Sequence, residues 1–112
     1  MKLPNADRAV IPREKLQGYL LSSVHPLGKF KAAFFRSLGY NTLLWKRLEK
    51  DFRSILGNDA KYGEQTDYGQ KFEVRGRIVG PTGKAFFIVT VWIVLTGEDF
   101  PRFITAFPGE EN

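Results

Sequence analysis

Residues 85–95, AFFIVTVWIVL, form the longest apolar run of the chain and constrain everything packed around it. The run is too short for a bilayer-spanning helix, which needs roughly 20 residues. β-Branched and aromatic side chains dominate it, and both alternating sets of positions are apolar, so neither face of an extended chain would tolerate water. It reads as a central strand, whose backbone needs hydrogen-bonded neighbours along both edges. One neighbour lies upstream, where Phe72, Val74, Gly76 and Ile78 alternate with Lys71, Glu73, Arg75 and Arg77, the period-two pattern of a strand with one wet face. GPTG is the turn between them. The other neighbour lies downstream, where RFITAF, 102–107, follows the TGEDFP connection. NDAKYGEQTDYGQ is polar, holds two Tyr-Gly pairs and has no helical period, so it reads as a connecting loop.

The first half has a different period. Pro12 opens a helix over about 12–22, with Leu16, Tyr19 and Leu20 as a narrow apolar stripe. Pro26 suits the first turn of a second helix, because its missing amide hydrogen would lack a helical partner there anyway. Gly39 supplies a left-handed stop after Leu38. Asn41 caps a third helix in which Leu44, Trp45, Leu48, Phe52, Ile55 and Leu56 share one arc, and Gly57 ends it. The expected fold is α+β: about three N-terminal helices packed on a C-terminal antiparallel sheet. At 112 residues and 43% hydrophobic composition, residues 1–112 fit a single domain, with 1–57 as its helical half and 58–112 as its β-meander half.

Charge follows the same division. Residues 1–57 carry 11 Lys/Arg against 4 Asp/Glu, whereas 58–112 carry 6 against 8. A basic half suits RNA or an acidic protein, and it equally suits solvated helix faces. With no cysteine, disulfides, thiolate metal sites and thiol nucleophiles are excluded. The N-terminus has no apolar core of signal-peptide length, so a soluble, cytoplasmic protein is expected, with no membrane partner. No His/Cys/carboxylate cluster has metal-ligand spacing, GPTGK lacks the P-loop pattern, and no cofactor is implied. Nothing in the sequence fixes the oligomeric state.

HPLGKFKAAFF, from His25 to Phe35, holds the only histidine and the one anomaly. At 100° per residue Lys31 falls about 40° from Leu27, within the apolar arc that runs from Phe30 at about −60° through Phe34, Leu27 and Leu38 to Phe35 at about +80°. An ammonium on a buried face must reach water or a partner. His25, the only side chain whose ordinary pKa lies near neutrality, suits a general acid or base, or simply a helix cap. With Gly28, Lys29 and Lys31 it marks a helix N-terminus suited to phosphate. Arg75 and Arg77 form a basic stripe on the wet face of the first strand. Arg102 and Thr105 would face opposite sides of a regular last strand.

The segments KLPNADRAVIPREKL, HPLGKFKAAFF and VTVWIV-TGEDFPRFITAFP closely resemble a family of small bacterial proteins. That family is itself similar to the toxin modules of the barnase/EndoU/colicin/RelE-like ribonuclease superfamily. The matching pattern is a helix of HPxGxxKAxxF type and a last strand ending T-x-(Tyr/Phe)-P. It implies a RelE-like sheet of three to four strands, with functional positions at His25, Gly28, Lys31, Arg102 and Thr105. It also implies metal-independent RNA cleavage through the ribose 2′-hydroxyl, with His25 as base or acid, Lys31 and Arg102 on phosphate and Thr105 adding a hydrogen bond. Should His25 not be the base, a lysine or Tyr68 would take that role. An acidic antitoxin-like protein is the expected partner. The alternative is a catalytically inactive module that binds RNA or such a protein.

Overall fold

The computed structural model describes residues 1–110. Four strands form one antiparallel sheet in sequence order: β1 Ala60–Thr66, β2 Gly69–Val79, β3 Ala85–Leu95 and β4 Pro101–Pro108. The apolar run is β3, paired along its whole length with β2 and on its other side with β4. The helices precede the sheet: α1 Arg13–Lys15, continued by a π-helical turn over Leu16–Leu20, then α2 Lys29–Ser37 and α3 Trp45–Ser54. This is the expected α+β arrangement. Among the described residues, no helix is long and apolar enough to cross a membrane.

The core lies between the helices and one face of the sheet. Phe72, Val74 and Ile78 of β2 are buried as their alternation requires, and Ile88 and Trp92 lie beside them on β3. Phe35 of α2 and Phe52 of α3 pack edge to face, and Phe52 stacks on Phe103 of β4 with ring centroids 5.3 Å apart. Each such ring contributes about 1.5–3 kcal/mol by leaving water. Thr90, fully buried among them, donates to the Val74 carbonyl and accepts from the Trp92 indole, so its hydroxyl is satisfied. Gly39 ends α2 at φ 99°, and the Asn41 side chain accepts the Leu43 amide as the cap of the third helical segment.

Three expectations need correction. The segment read as a loop contains β1, an edge strand that is exposed apart from Ala60 and Thr66. It pairs with β2 and has no buried face to imprint an alternation on its sequence. The second helix begins at Lys29, not at Pro26, so Leu27 precedes it and is 74% exposed. The last strand is not regular. Between Val91 and Trp92 the β3 ladder advances one residue while β4 advances two, from Thr105 to Phe103, leaving Ile104 as a β-bulge. Phe103 and Ala106, three apart, are therefore both buried. Arg102 and Thr105, opposite Ile93 and Val91, take the same parity where a regular strand would separate them.

Candidate functional site

The outer edge of β4 is covered in two ways. Val10 pairs with it around Arg102, its amide donating to Pro101 and its carbonyl accepting from Phe103. Beyond the bulge the covering elements are the first helix and α2, and a pocket of about 630 Å³ opens there. Pro12, Leu27 and Ile104 give it apolar walls, Tyr19 and His25 aromatic ones, and Glu14, Lys15 and Thr105 its polar groups.

Lys31 resolves its anomaly at this place. Its ammonium donates to the Thr105 hydroxyl at 2.8 Å and to the Tyr19 phenol oxygen at 3.1 Å, and those two oxygens are 3.1 Å from each other. Three elements meet in one hydrogen-bonded triangle. The ammonium also lies 5.5 Å from the Tyr19 ring centroid and 5.9 Å from that of Phe107. Lys15 approaches the Tyr19 ring from its own helix at 5.7 Å. Burial pushes the Tyr19 phenol up, but the hydrogen bonds from Thr105 and Lys31 and the charges of Lys31 and Lys15 outweigh it, and the phenol is held below its ordinary value.

Tyr19 sits where it does because of a local irregularity. The Leu21 amide reaches the Leu16 carbonyl at 2.8 Å, an i to i+5 bond that inserts an extra residue into the helix. The turn that follows packs tightly against it, because a Cβ on Gly28 would meet the Tyr19 carbonyl oxygen at 2.1 Å. Gly28 thus has a packing role. His25 sits edge-on to the Tyr19 ring at 5.1 Å, and its Nδ1 accepts the amides of Leu27 and Gly28, each at 3.0 Å. That bonding leaves the neutral ring's proton on Nε2. The Lys29 amide donates to the His25 carbonyl. Amides that would cradle a phosphate are therefore already engaged.

The remaining expected residues lie elsewhere. Arg102 makes two hydrogen bonds of 2.8 Å to the Glu98 carboxylate and stacks on Phe100 at 4.9 Å. It is outside the pocket lining. Arg75 donates to Glu73 at 3.2 Å, and its Nε is buried with no acceptor among the described residues. Arg77 is exposed on the same strand, and Lys29 is exposed on α2. Tyr68, 78% exposed between β1 and β2, is also outside the pocket lining. No group of three His, Cys, Asp or Glu residues is placed to hold a metal ion among the described residues. Tyr19 is the site residue that sequence reasoning missed, because a tyrosine at helical spacing looks like part of a core stripe.

The model of one protein family, described as "Domain of unknown function (DUF6883)", matches residues 2–110. No curated protein matches the chain. Among solved structures, a chain of the "Contact-dependent growth inhibition toxin - immunity protein complex from Klebsiella pneumoniae 342" superposes with a TM-score of 0.65 at 23% identity, covering 95% of this chain and 97% of that one. At that identity the likeness is one of fold.

Proposed function

The chain belongs to the DUF6883 family, and we propose that it is a toxin-type ribonuclease that cleaves RNA without a metal at the Tyr19–Lys31–Thr105 triangle. The observation that carries this reading is the Lys31 ammonium held by a phenol and a hydroxyl whose residues, Tyr19 and Thr105, line an open pocket. Two of its three N–H donors are engaged there, and the third remains for a phosphate oxygen. In the proposed reaction the Tyr19 oxygen takes the 2′-hydroxyl proton. The 2′-oxygen attacks phosphorus, the bond to O5′ breaks, and the departing alkoxide takes a proton from water, leaving a 2′,3′-cyclic phosphate. Lys31 stabilises the charge that develops on phosphate, and Thr105 fixes the phenol. His25 keeps its Nδ1 on the backbone amides and offers Nε2–H to phosphate, a donor in place of the base suggested by sequence. Arg102 would join only by leaving Glu98.

The resemblance of HPLGKFKAAFF and the last strand to the ribonuclease toxins supports this assignment, as does the likeness in fold to a chain of a toxin–immunity complex. A cytoplasmic target and an acidic antitoxin or immunity protein as partner belong to the same proposal. One observation favours the inactive binding module: His25 and two of the Lys31 donors are engaged with the protein's own atoms.

Lys31→Met separates the two readings, because it keeps the stem and deletes the charge. The ribonuclease reading expects unchanged or higher thermal stability and a loss of RNA cleavage of about 10²- to 10³-fold. Wild-type protein that binds RNA and leaves it intact over long incubation, in EDTA and across pH, would establish the binding module instead.

A further inference from the structure

Arg102 and Thr105 share a sheet face, and the bulge at Ile104 is what puts them there. Thr105 lies opposite Val91 and Arg102 opposite Ile93, two residues further along β3, or about 7 Å of strand. Lys31 bonds the Thr105 hydroxyl, so the ammonium held at one of these positions has a guanidinium rooted at the next. That guanidinium is already engaged. Its Nε and one terminal nitrogen donate to the two oxygens of Glu98, each at 2.8 Å, and its carbon lies 4.9 Å from the Phe100 ring centroid. A carboxylate in this two-pronged position occupies the forked donors that a phosphate would take.

Glu98 is delivered to that position by a connection anchored on both sides. Gly97, at φ 87°, makes the turn after β3, and the Glu98 amide donates to the Leu95 carbonyl at 2.9 Å. Next to it, Asp99 pairs with Arg8 at 3.0 Å and its carbonyl accepts from the Asn5 side chain, while the Pro101 carbonyl accepts the Val10 amide. The backbone therefore presents Glu98 to Arg102 independently of the ion pair. Both side chains stay partly open to water, Arg102 at 38% and Glu98 at 27%, so the pair is of the weakly held kind and an incoming anion can exchange with it. We propose that Glu98 is an internal stand-in for phosphate, an autoinhibitory contact that holds Arg102 until an RNA phosphate displaces the carboxylate. This rests on the ribonuclease reading for the identity of the anion. While the contact is closed, the Glu98 charge cancels that of Arg102 and weakens the pull of this face on a polyanion. The exchange makes and breaks no covalent bond, so it is measured without cleavage.

The test measures binding of a single-stranded 2′-O-methyl RNA, which has no free 2′-hydroxyl to attack phosphate, at low salt. Wild-type protein, Glu98→Gln, Arg102→Gln and the double variant are compared. Glu98→Gln should bind about 2- to 5-fold tighter, the scale of one exposed ion pair that no longer opposes the RNA, and the gain should vanish in the double variant. In wild-type protein the Arg102 Nε–H resonance should move as the RNA binds, a measurement that depends on no substitution. Unchanged or weaker binding by folded Glu98→Gln, a gain that survives without Arg102, or an Nε–H resonance that stays fixed at saturation would overturn the proposal. An Arg102-dependent gain with no cleavage of ordinary RNA by any of the four proteins sustains it and removes the ribonuclease reading. Cleavage of ordinary RNA by wild type with no gain in Glu98→Gln does the reverse.

Discussion

Two tyrosines tie helices to their surroundings in this fold, and they are held in opposite ways. Tyr40, just after α2, is buried, and its hydroxyl donates to Asp51 of α3, whose carboxylate is also bound by Arg47. Arg47 in turn donates to the Val79 carbonyl at the end of β2. Burial, the Asp51 hydrogen bond and the Asp51 charge all push the Tyr40 phenol far above its ordinary value, and Arg47 only partly opposes them. Tyr19 meets ammonium groups instead, and its phenol is pulled down. One side chain is locked as a donor inside a closed network, and the other is held below its ordinary value at the wall of an open pocket. The sign of the neighbouring charge sets the direction in which each phenol moves.

The largest test of that contrast is Tyr19→Phe. Removing the phenol oxygen should lower RNA cleavage by about 10²- to 10⁴-fold, the scale of one positioned acid or base, while the melting temperature stays close to that of wild type. A variant that cleaves normally would show that Tyr19 is as structural as Tyr40.

A smaller effect, on stability alone, is expected of Tyr40→Phe. It removes a donor from a carboxylate that is largely shielded from water, so unfolding should become easier by about 1–3 kcal/mol, with cleavage unchanged. The pH dependence has a definite sign. Because the folded-state value of Tyr40 is raised, its contribution is fully present below the ordinary value of 10.0 and is lost as pH rises above it. Tyr19, lowered, acts the other way: its contribution appears as pH rises through the folded-state value and is complete above 10.0. Denaturant unfolding measured on both sides of that pH should show an alkaline loss of stability in wild type that shrinks in Tyr40→Phe. An unchanged alkaline slope would mean that another group controls it.

The parts of this contrast were unequally legible in the sequence. β2 and β3 declared themselves through burial, which writes period two or continuous apolarity into a strand. Gly39 and Asn41 marked helix boundaries because a positive φ and an N-cap each narrow the choice of residue. Lys31 was legible as an anomaly because a charge interrupts an apolar arc. β1 was not, since an edge strand exposed on both faces has no solvent contrast to record. The Glu98–Arg102 pair has a spacing that can be read from the chain, yet only the fold shows that it keeps the guanidinium from the pocket. Nothing in RFITAF marks Ile104 as surplus, and nothing in LQGYL marks a π-helical turn. Both depend on tertiary fit, and together they bring Tyr19 against Thr105.

That pairing of irregularities bears on how such a protein changes over evolutionary time. The helix and the strand each carry one residue more than regular geometry requires, and the two insertions meet across a single hydrogen bond. Dropping Ile104 would restore a regular strand with Phe103 still opposite Trp92 and Thr105 still opposite Val91. The aromatic interior, with its rings from α2, α3, β3 and β4, would keep its own spacing. A lineage can therefore lose or regain that one codon and still make a well-packed protein.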